Sequence, residues 1–270
     1  MYLCFRYLSQ IIRNMKHLIT ALAATAIMTA CTNEQKILVL YYSQTGTTKS
    51  VAESFSTQLG ADICSFDVEE AYDGDFNQTI ARCQQEQVSG FIPTLKPLDK
   101  KIADYDVIFL GYPVWFGTYA PPVAALLQNE QFDGKTIVPF CTFGSGGLNT
   151  SSDDLKKALP NAIITEGYGV RTARVAKAPA EITRFLTANG YKDGESIDLP
   201  DYSQQQPVTE AEAALFDQAC SDYQFPLGTP QTCGSRETPW GTEYLFNVAN
   251  GTTIYVTVAD GQAEFTQVVR

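Results

Sequence analysis

The chain has 270 residues, 44% of them apolar and 18% charged, the composition of a folded globular protein. Its net charge of −11 argues against nucleic acid or a bare anionic membrane as partners. Its single histidine, His17, lies near the amino end. The rest of the chain therefore has no Ser-His-Asp or Cys-His catalysis and no histidine-based metal site.

Residues 15–31 open with Met-Lys-His and continue in an apolar run from Leu18 to Ala30 that ends at Cys31. The run is too short to span a bilayer but suits the core of an export signal. Met28-Thr29-Ala30-Cys31 resembles the bacterial lipobox, which marks Cys31 for lipidation and residues 1–31 as a signal peptide. The expected location is the cell envelope, facing the periplasm, with the membrane engaged only through the lipid. Export also leaves Cys220 and Cys233 as a candidate disulfide in an oxidising compartment, with Cys64 and Cys141 read as buried residues of strands.

From Lys36 the chain reads Ile-Leu-Val-Leu-Tyr-Tyr, a run of β-formers that predicts a strand buried on both faces. Val51, Ala52 and Phe55 at helical spacing predict a helix immediately afterwards. Ser43, Gln44, Thr45, Gly46, Thr47 and Thr48 lie between the two. Hydroxyls and one glycine at a helix start gather unpaired N–H groups and the positive end of the helix dipole, an anion site without arginine. The P-loop spacing is missing.

Further strands are predicted at Ala61–Asp67, Asp106–Gly111, Lys135–Cys141 and Ala162–Tyr168. Helices are predicted at Asp75–Val88, Tyr119–Leu127, Ser151–Leu159 and Ala180–Ala188. Pro121 and Pro122 sit in a first turn, Ser151 to Asp154 form a capping-box-like start, and Asn189-Gly190 closes the last helix. The alternation predicts a doubly wound α/β sheet, whose ligands bind beyond the carboxyl ends of the strands. Two more loops fall there. One presents Pro113, Val114, Trp115, Phe116 and Gly117, able to stack a planar ring. The other, Thr142, Phe143, Gly144, Ser145, Gly146 and Gly147, brings backbone against a heterocycle's polar edge. Ser145 lacks nucleophile-elbow spacing, which excludes hydrolase chemistry. A phosphate, a flat ring and a polar edge together describe FMN.

Tyr-Ser-Gln-Thr-Gly-Thr-Thr, Gly-Tyr-Pro-Val-Trp-Phe-Gly and Phe-Cys-Thr-Phe-Gly-Ser-Gly-Gly, in this order, resemble the flavodoxin family and its lipid-anchored bacterial branch over about residues 36–190. The resemblance implies a five-stranded sheet ordered 2-1-3-4-5, non-covalent FMN and electron transfer, with no catalytic side chain and no metal. It places the phosphate on residues 43–48, the flavin ring on 113–117 and its far side on 142–147. Phe116 stands where relatives often carry tryptophan, and Lys49 follows the phosphate loop directly. An FMN-dependent reductase of quinones or disulfides and a flavin-free scaffold are the alternatives.

Residues 191–207 read as a linker, and 208–270 as a small α+β domain with a helix from Thr209 and strands at Thr242–Val248, Thr253–Val258 and Glu264–Val269. Asn250-Gly251 marks a hairpin. The Trp240–Tyr244 stretch is similar to the hairpin of cystatin-like modules. Residues 191–270 carry 12 acids against 3 bases, whereas 36–190 carry 17 against 13, so the acidity sits in the second part. Cys31 to Lys36 spans roughly 17 Å when extended, which puts the anchor at the amino ends of the strands and the flavin edge away from lipid.

Overall fold

The computed structural model describes residues 35–223 and 225–269, and residues 36–270 cluster as one compact unit. The segment read as a signal peptide, with Cys31, lies outside the described residues. Among those described, no helix is long and apolar enough to cross a membrane.

The first part alternates β1 (Ile37–Tyr41), α1 (Thr47–Leu59), β2 (Asp62–Ser65), α2 (Phe76–Ser89), β3 (Val107–Trp115), β4 (Thr118–Tyr119), α3 (Pro121–Asn129), β5 (Thr136–Phe143), α4 (Leu148–Ala158), β6 (Ile163–Ile164), β7 (Tyr168–Arg171) and α5 (Ala178–Ala188). The parallel sheet runs β2-β1-β3-β5-β6, which is the flavodoxin-like order expected. Side chains of a strand alternate between faces, so a continuous apolar run serves two cores. Leu38, Leu40, Ile108 and Leu110 enter one core, while Val39, Phe109, Val138 and Phe140 enter the other beside Phe55 of α1 and Ile182 of α5.

Several boundaries differ from expectation, and two of them bear on the site. The fifth strand, read as Ala162–Tyr168, arrives in two pieces, β6 and β7, both parallel to β5. The helix read as Ser151–Leu159 starts three residues earlier, at Leu148, from Gly147 in the left-handed region. Ser151 is no cap: it is buried, donates back to the Gly147 carbonyl at 2.7 Å and accepts from the Tyr112 hydroxyl at 3.1 Å.

The second part is an antiparallel sheet, β12-β11-β10-β9-β8, under one helix. It comprises β8 (Gln206–Pro207), α6 (Glu210–Ala219), β9 (Pro230–Thr238), β10 (Gly241–Val248), β11 (Thr253–Ala259) and β12 (Gln262–Val269). Thr209 caps α6 reciprocally with Glu212. Phe216 of α6 meets Phe246 of β10 at 5.3 Å, over a core that includes Ile254, Val256 and Phe265. β9 escapes sequence reading because Pro-Gln-Thr-Cys-Gly-Ser-Arg-Glu-Thr has almost no apolar alternation. The segment read as a linker ends in β8, paired to β9.

Cys220 and Cys233 do not form the bond expected of them; both are free thiols. Cys220 caps α6 near Arg171 and Asp222, whereas Cys233 lies buried inside β9, its Sγ directed to the Gly234 carbonyl at 3.7 Å. Burial pushes both thiols up to about 12, which disfavours their thiolate forms. A chain starting at Thr32, purified without reductant, should therefore titrate five thiols in denaturant. A count of three would restore the disulfide.

Candidate functional site

The site is built at the carboxyl ends of β1, β3 and β5. Strand register puts Tyr41 beside Gly111, and Pro113 beside Thr142, so the three following loops start as neighbours. Direct contacts then join them. The Thr48 and Thr142 hydroxyls hydrogen-bond at 2.8 Å, tying the first loop to the third. The Tyr42 N–H donates to the Gly111 carbonyl at 3.0 Å, tying the first to the second. A Cβ on Gly147 would fall 2.6 Å from Val114 Cγ1, so the third loop approaches the second closely only because that residue is glycine.

The first loop turns into α1 through Gly46, whose φ of 90° is left-handed. The first bond of the helix runs from the Ser50 N–H to the Gly46 carbonyl, which leaves the N–H groups of Thr47, Thr48 and Lys49 without intrahelical partners. Thr45 and Gly46 are exposed, while Ser43, Gln44 and Thr47 are half-buried around them. Ser43 Oγ accepts from the Gly46 N–H at 3.1 Å, and Thr45 and Thr47 share a contact at 3.3 Å. Two members of the loop face elsewhere. Gln44 donates to the Tyr72 carbonyl and the Thr79 hydroxyl, both at 2.8 Å, and Thr48 is buried on Thr142. Lys49 reaches along the helix to Glu53 at 3.8 Å, so its charge is drawn away from the loop.

The second loop is tighter than expected. β3 continues to Trp115 and β4 folds straight back, Val114 opposite Tyr119 and Trp115 opposite Thr118. Phe116 and Gly117 form the whole turn, at φ 53° and 83°. Positive φ at both positions is the type I′ pattern, which favours Asn-Gly, and a phenylalanine there is strained by about 1–2 kcal/mol. Phe116 is nonetheless 49% exposed, so burial does not hold it in that conformation. Strain in an exposed aromatic points to a ligand. Phe116→Asn should raise the stability of the empty protein by about 1 kcal/mol, read as a melting temperature, while weakening binding of a planar ligand. A variant that melts lower would remove the strain argument.

Trp115 is half-buried against Tyr42 at 6.0 Å and Tyr72 at 5.2 Å, both edge-on. Tyr112 is wholly core. Tyr72 was missed by sequence reading. It supports both Gln44 and Trp115, and its hydroxyl donates to buried Glu86 while Arg82 stacks 3.8 Å over its ring. Burial and the Glu86 carboxylate raise the Tyr72 hydroxyl far above its ordinary range, so it stays a neutral donor. The one signal was an aromatic set in the acidic run Glu69–Asp73.

In the third loop Thr142 and Phe143 are buried, Gly144 is exposed, and Gly146 and Gly147 take φ of 92° and 116°. A cavity of about 330 Å³ lies between this loop and Phe116 and Gly117 of the second. The larger groove, about 630 Å³ between α5 and the C-terminal sheet, touches none of the three loops. Geometry favours the smaller space, because the second and third loops both line it.

No curated protein sequence matches the chain. Among solved structures, a candidate flavoprotein from Bacteroides uniformis is 25% identical with a TM-score of 0.50, over 55% of this chain and 98% of its own. Another from Bacteroides eggerthii is 29% identical with a TM-score of 0.47, over 56% and 99%. A Lactobacillus acidophilus flavoprotein in complex with FMN is 26% identical with a TM-score of 0.44, over 53% and 97%. The family model for flavodoxin matches residues 36–184. That span is more than half of the chain and includes β1 to β7 with all three loops, and by it this chain belongs to the flavodoxin family.

Proposed function

We propose that the chain is an FMN-binding electron-transfer protein of the bacterial cell envelope, held at a membrane by lipid on Cys31. The carrying observation is the convergence of three loops with complementary chemistry at the ends of β1, β3 and β5. The residues fit the cofactor. The open start of α1, with free N–H groups and the hydroxyls of Ser43, Thr45 and Thr47, suits a phosphate. Nothing lies within 4 Å of where a Gly46 Cβ would be, so the approach is unobstructed. Trp115 and Phe116 would flank the ring, and the backbone of Gly144 to Gly147 would face its polar edge.

Bound FMN supplies one-electron redox chemistry, which the protein surroundings tune. The chain's own work is to bind, orient and exclude water. None of the 16 cofactor-binding positions proposed from 43–48, 113–117 and 142–147 is acidic, basic or a histidine, so no side chain there moves a proton. That favours a carrier, which takes and delivers single electrons between partner proteins, over a reductase. β1 begins at Ile37, at the end opposite the loops, which favours a flavin turned away from the anchoring membrane.

The test is a visible spectrum of the chain from Thr32, as purified and after addition of FMN. Flavin bands with quenched fluorescence are expected, together with no steady oxidation of NAD(P)H by the protein alone. A colourless protein that FMN cannot restore overturns the reading. Incorporation of labelled fatty acid into the full chain, lost in Cys31→Ser, tests the anchor.

A further inference from the structure

The two parts of the chain meet at the third loop. Gly146 is buried, and a Cβ there would fall 2.6 Å from both the carbonyl oxygen and Cγ1 of Val268 on β12. The cavity beside Phe116 and Gly147 is closed on its other side by Gln267 and Val269 of the same strand. Arg171, the last residue of β7, spans the junction. Its Nε donates to the Gly144 carbonyl and its Nη1 to the Phe265 carbonyl, both at 3.3 Å. Its Nη2 faces Asp222 at 3.4 Å, and the guanidinium lies 4.2 Å over the Phe265 ring. Arg171 is only 6% exposed, so a full charge has been withdrawn from water for this one contact set.

We propose that the C-terminal module is the outer wall of the flavin site, and that Arg171 is a positioning residue fixing the third loop against it. The inference rests on the FMN reading above. A loop with glycines at 144, 146 and 147 has few side chains with which to hold itself, and its freedom is large. The hydrogen bond from Arg171 to the Gly144 carbonyl and the packing of Val268 against Gly146 order it before the cofactor arrives. Binding then avoids that entropy loss, so affinity rises without any contact between Arg171 and the ligand. The acid-rich composition of the module acquires a role in docking: Asp222 meets Arg171, and Glu264 meets Arg174 at 3.2 Å and Lys177 at 3.5 Å.

The test uses the whole chain from Thr32 in five forms: wild type, Arg171→Met, Arg171→Lys, Val268→Ala and Asp222→Asn. Hydrogen exchange at residues 144–148 is read in the empty protein, FMN affinity by fluorescence quenching, and midpoint potential by titration. Arg171→Met should speed exchange and weaken FMN at least tenfold, with Arg171→Lys recovering only part because an ammonium lacks the planar fork. Val268→Ala, which leaves the ion pair intact, should do the same more mildly and guards against a misfolded arginine variant. Potential separates positioning from general damage: Arg171→Met should lower it and Asp222→Asn raise it, since one removes a buried positive charge and the other its neutralising partner. Unchanged affinity and exchange in both Arg171→Met and Val268→Ala, with a wild type that takes FMN, overturns the proposal and leaves the FMN reading standing. A wild type that takes no FMN overturns that reading; exchange at 144–148 in the empty protein then decides whether the wall orders the loop.

Discussion

Thr47→Glu is expected to abolish useful FMN binding while leaving the empty fold intact or slightly more stable. The two effects have opposite signs because one group meets two different fields. In the empty protein a carboxylate in the first turn of α1 faces unpaired N–H groups and the positive end of the helix dipole, a gain of about 0.3–1 kcal/mol. The first turn holds no acid now, so nothing competes for those groups. Once a phosphate is bound, the same carboxylate faces a dianion. At about 4 Å and an effective dielectric of about 20, each pair of unit charges costs about 4 kcal/mol, and solvent at this half-buried position reduces that. An affinity loss on the order of 100-fold remains, since every 1.4 kcal/mol is about tenfold. Thr47→Gln matches the size without the charge and should lose about tenfold or less. Titration by fluorescence quenching, with melting of the empty proteins alongside, reads both signs. Equal losses for Glu and Gln would mean the loop does not bind an anion.

The parallel sheet was legible because its three central strands, β1, β3 and β5, are buried on both faces. Their apolar runs mark the core, and the residues that follow them, Ser43, Tyr112 and Thr142, also begin the loops. What a hydroxyl-rich loop does not show is which hydroxyl turns inward. Thr48 follows Thr47 directly, yet a helix turns 100° per residue, so one looks toward the site and the other into Thr142. The start of α4 misled for a similar reason. Ser151 and Asp154 have capping-box spacing, but three glycines upstream allowed the helix to begin earlier from a left-handed residue, and the serine became an interior group bonded one turn back.

Long-range partners were less legible. Tyr72 reaches Gln44 and Trp115, and Arg171 reaches Gly144 and Phe265, neighbours 27 to 94 positions away, and no local period announces such contacts. The acidity of residues 191–270 was plain, but that two of its carboxylates, Asp222 and Glu264, meet Arg171, Arg174 and Lys177 needed the fold, while most of the others stay exposed. A charge imbalance between two parts of one chain is thus also a docking signal. Such pairs contribute little individually at the surface, and Arg171 stands apart because it is buried.

Phe55→Ala is expected to lower stability by about 3–5 kcal/mol, the largest loss from any single truncation argued here. Phe55 has no exposed surface and lies within 4.8 Å of Phe140, 5.3 Å of Phe109, 5.8 Å of Tyr168 and 6.1 Å of Phe185, centroid to centroid. Its ring is the meeting point of α1, the sheet and α5. Three of the neighbours are rings held by the sheet and the fourth, Phe185, sits on α5, so they cannot simply collapse into the vacated space and the cavity term adds to the lost transfer energy. For a domain of this size the melting temperature should fall by roughly 10 °C. Phe55→Leu keeps most of the volume and should cost about 1–2 kcal/mol. The same residue reaches the site through the helix it anchors. Phe55 fixes α1, whose first turn carries the N–H groups offered to phosphate, so a loosened helix presents them less well. Added FMN should therefore rescue part of the loss, about 2.7 kcal/mol at a free concentration 100 times its Kd. A Phe55→Ala protein that melts like wild type would show that α1 is held by something other than this core. One that melts low yet binds FMN with the wild-type Kd would show that the start of α1 is not where the cofactor binds.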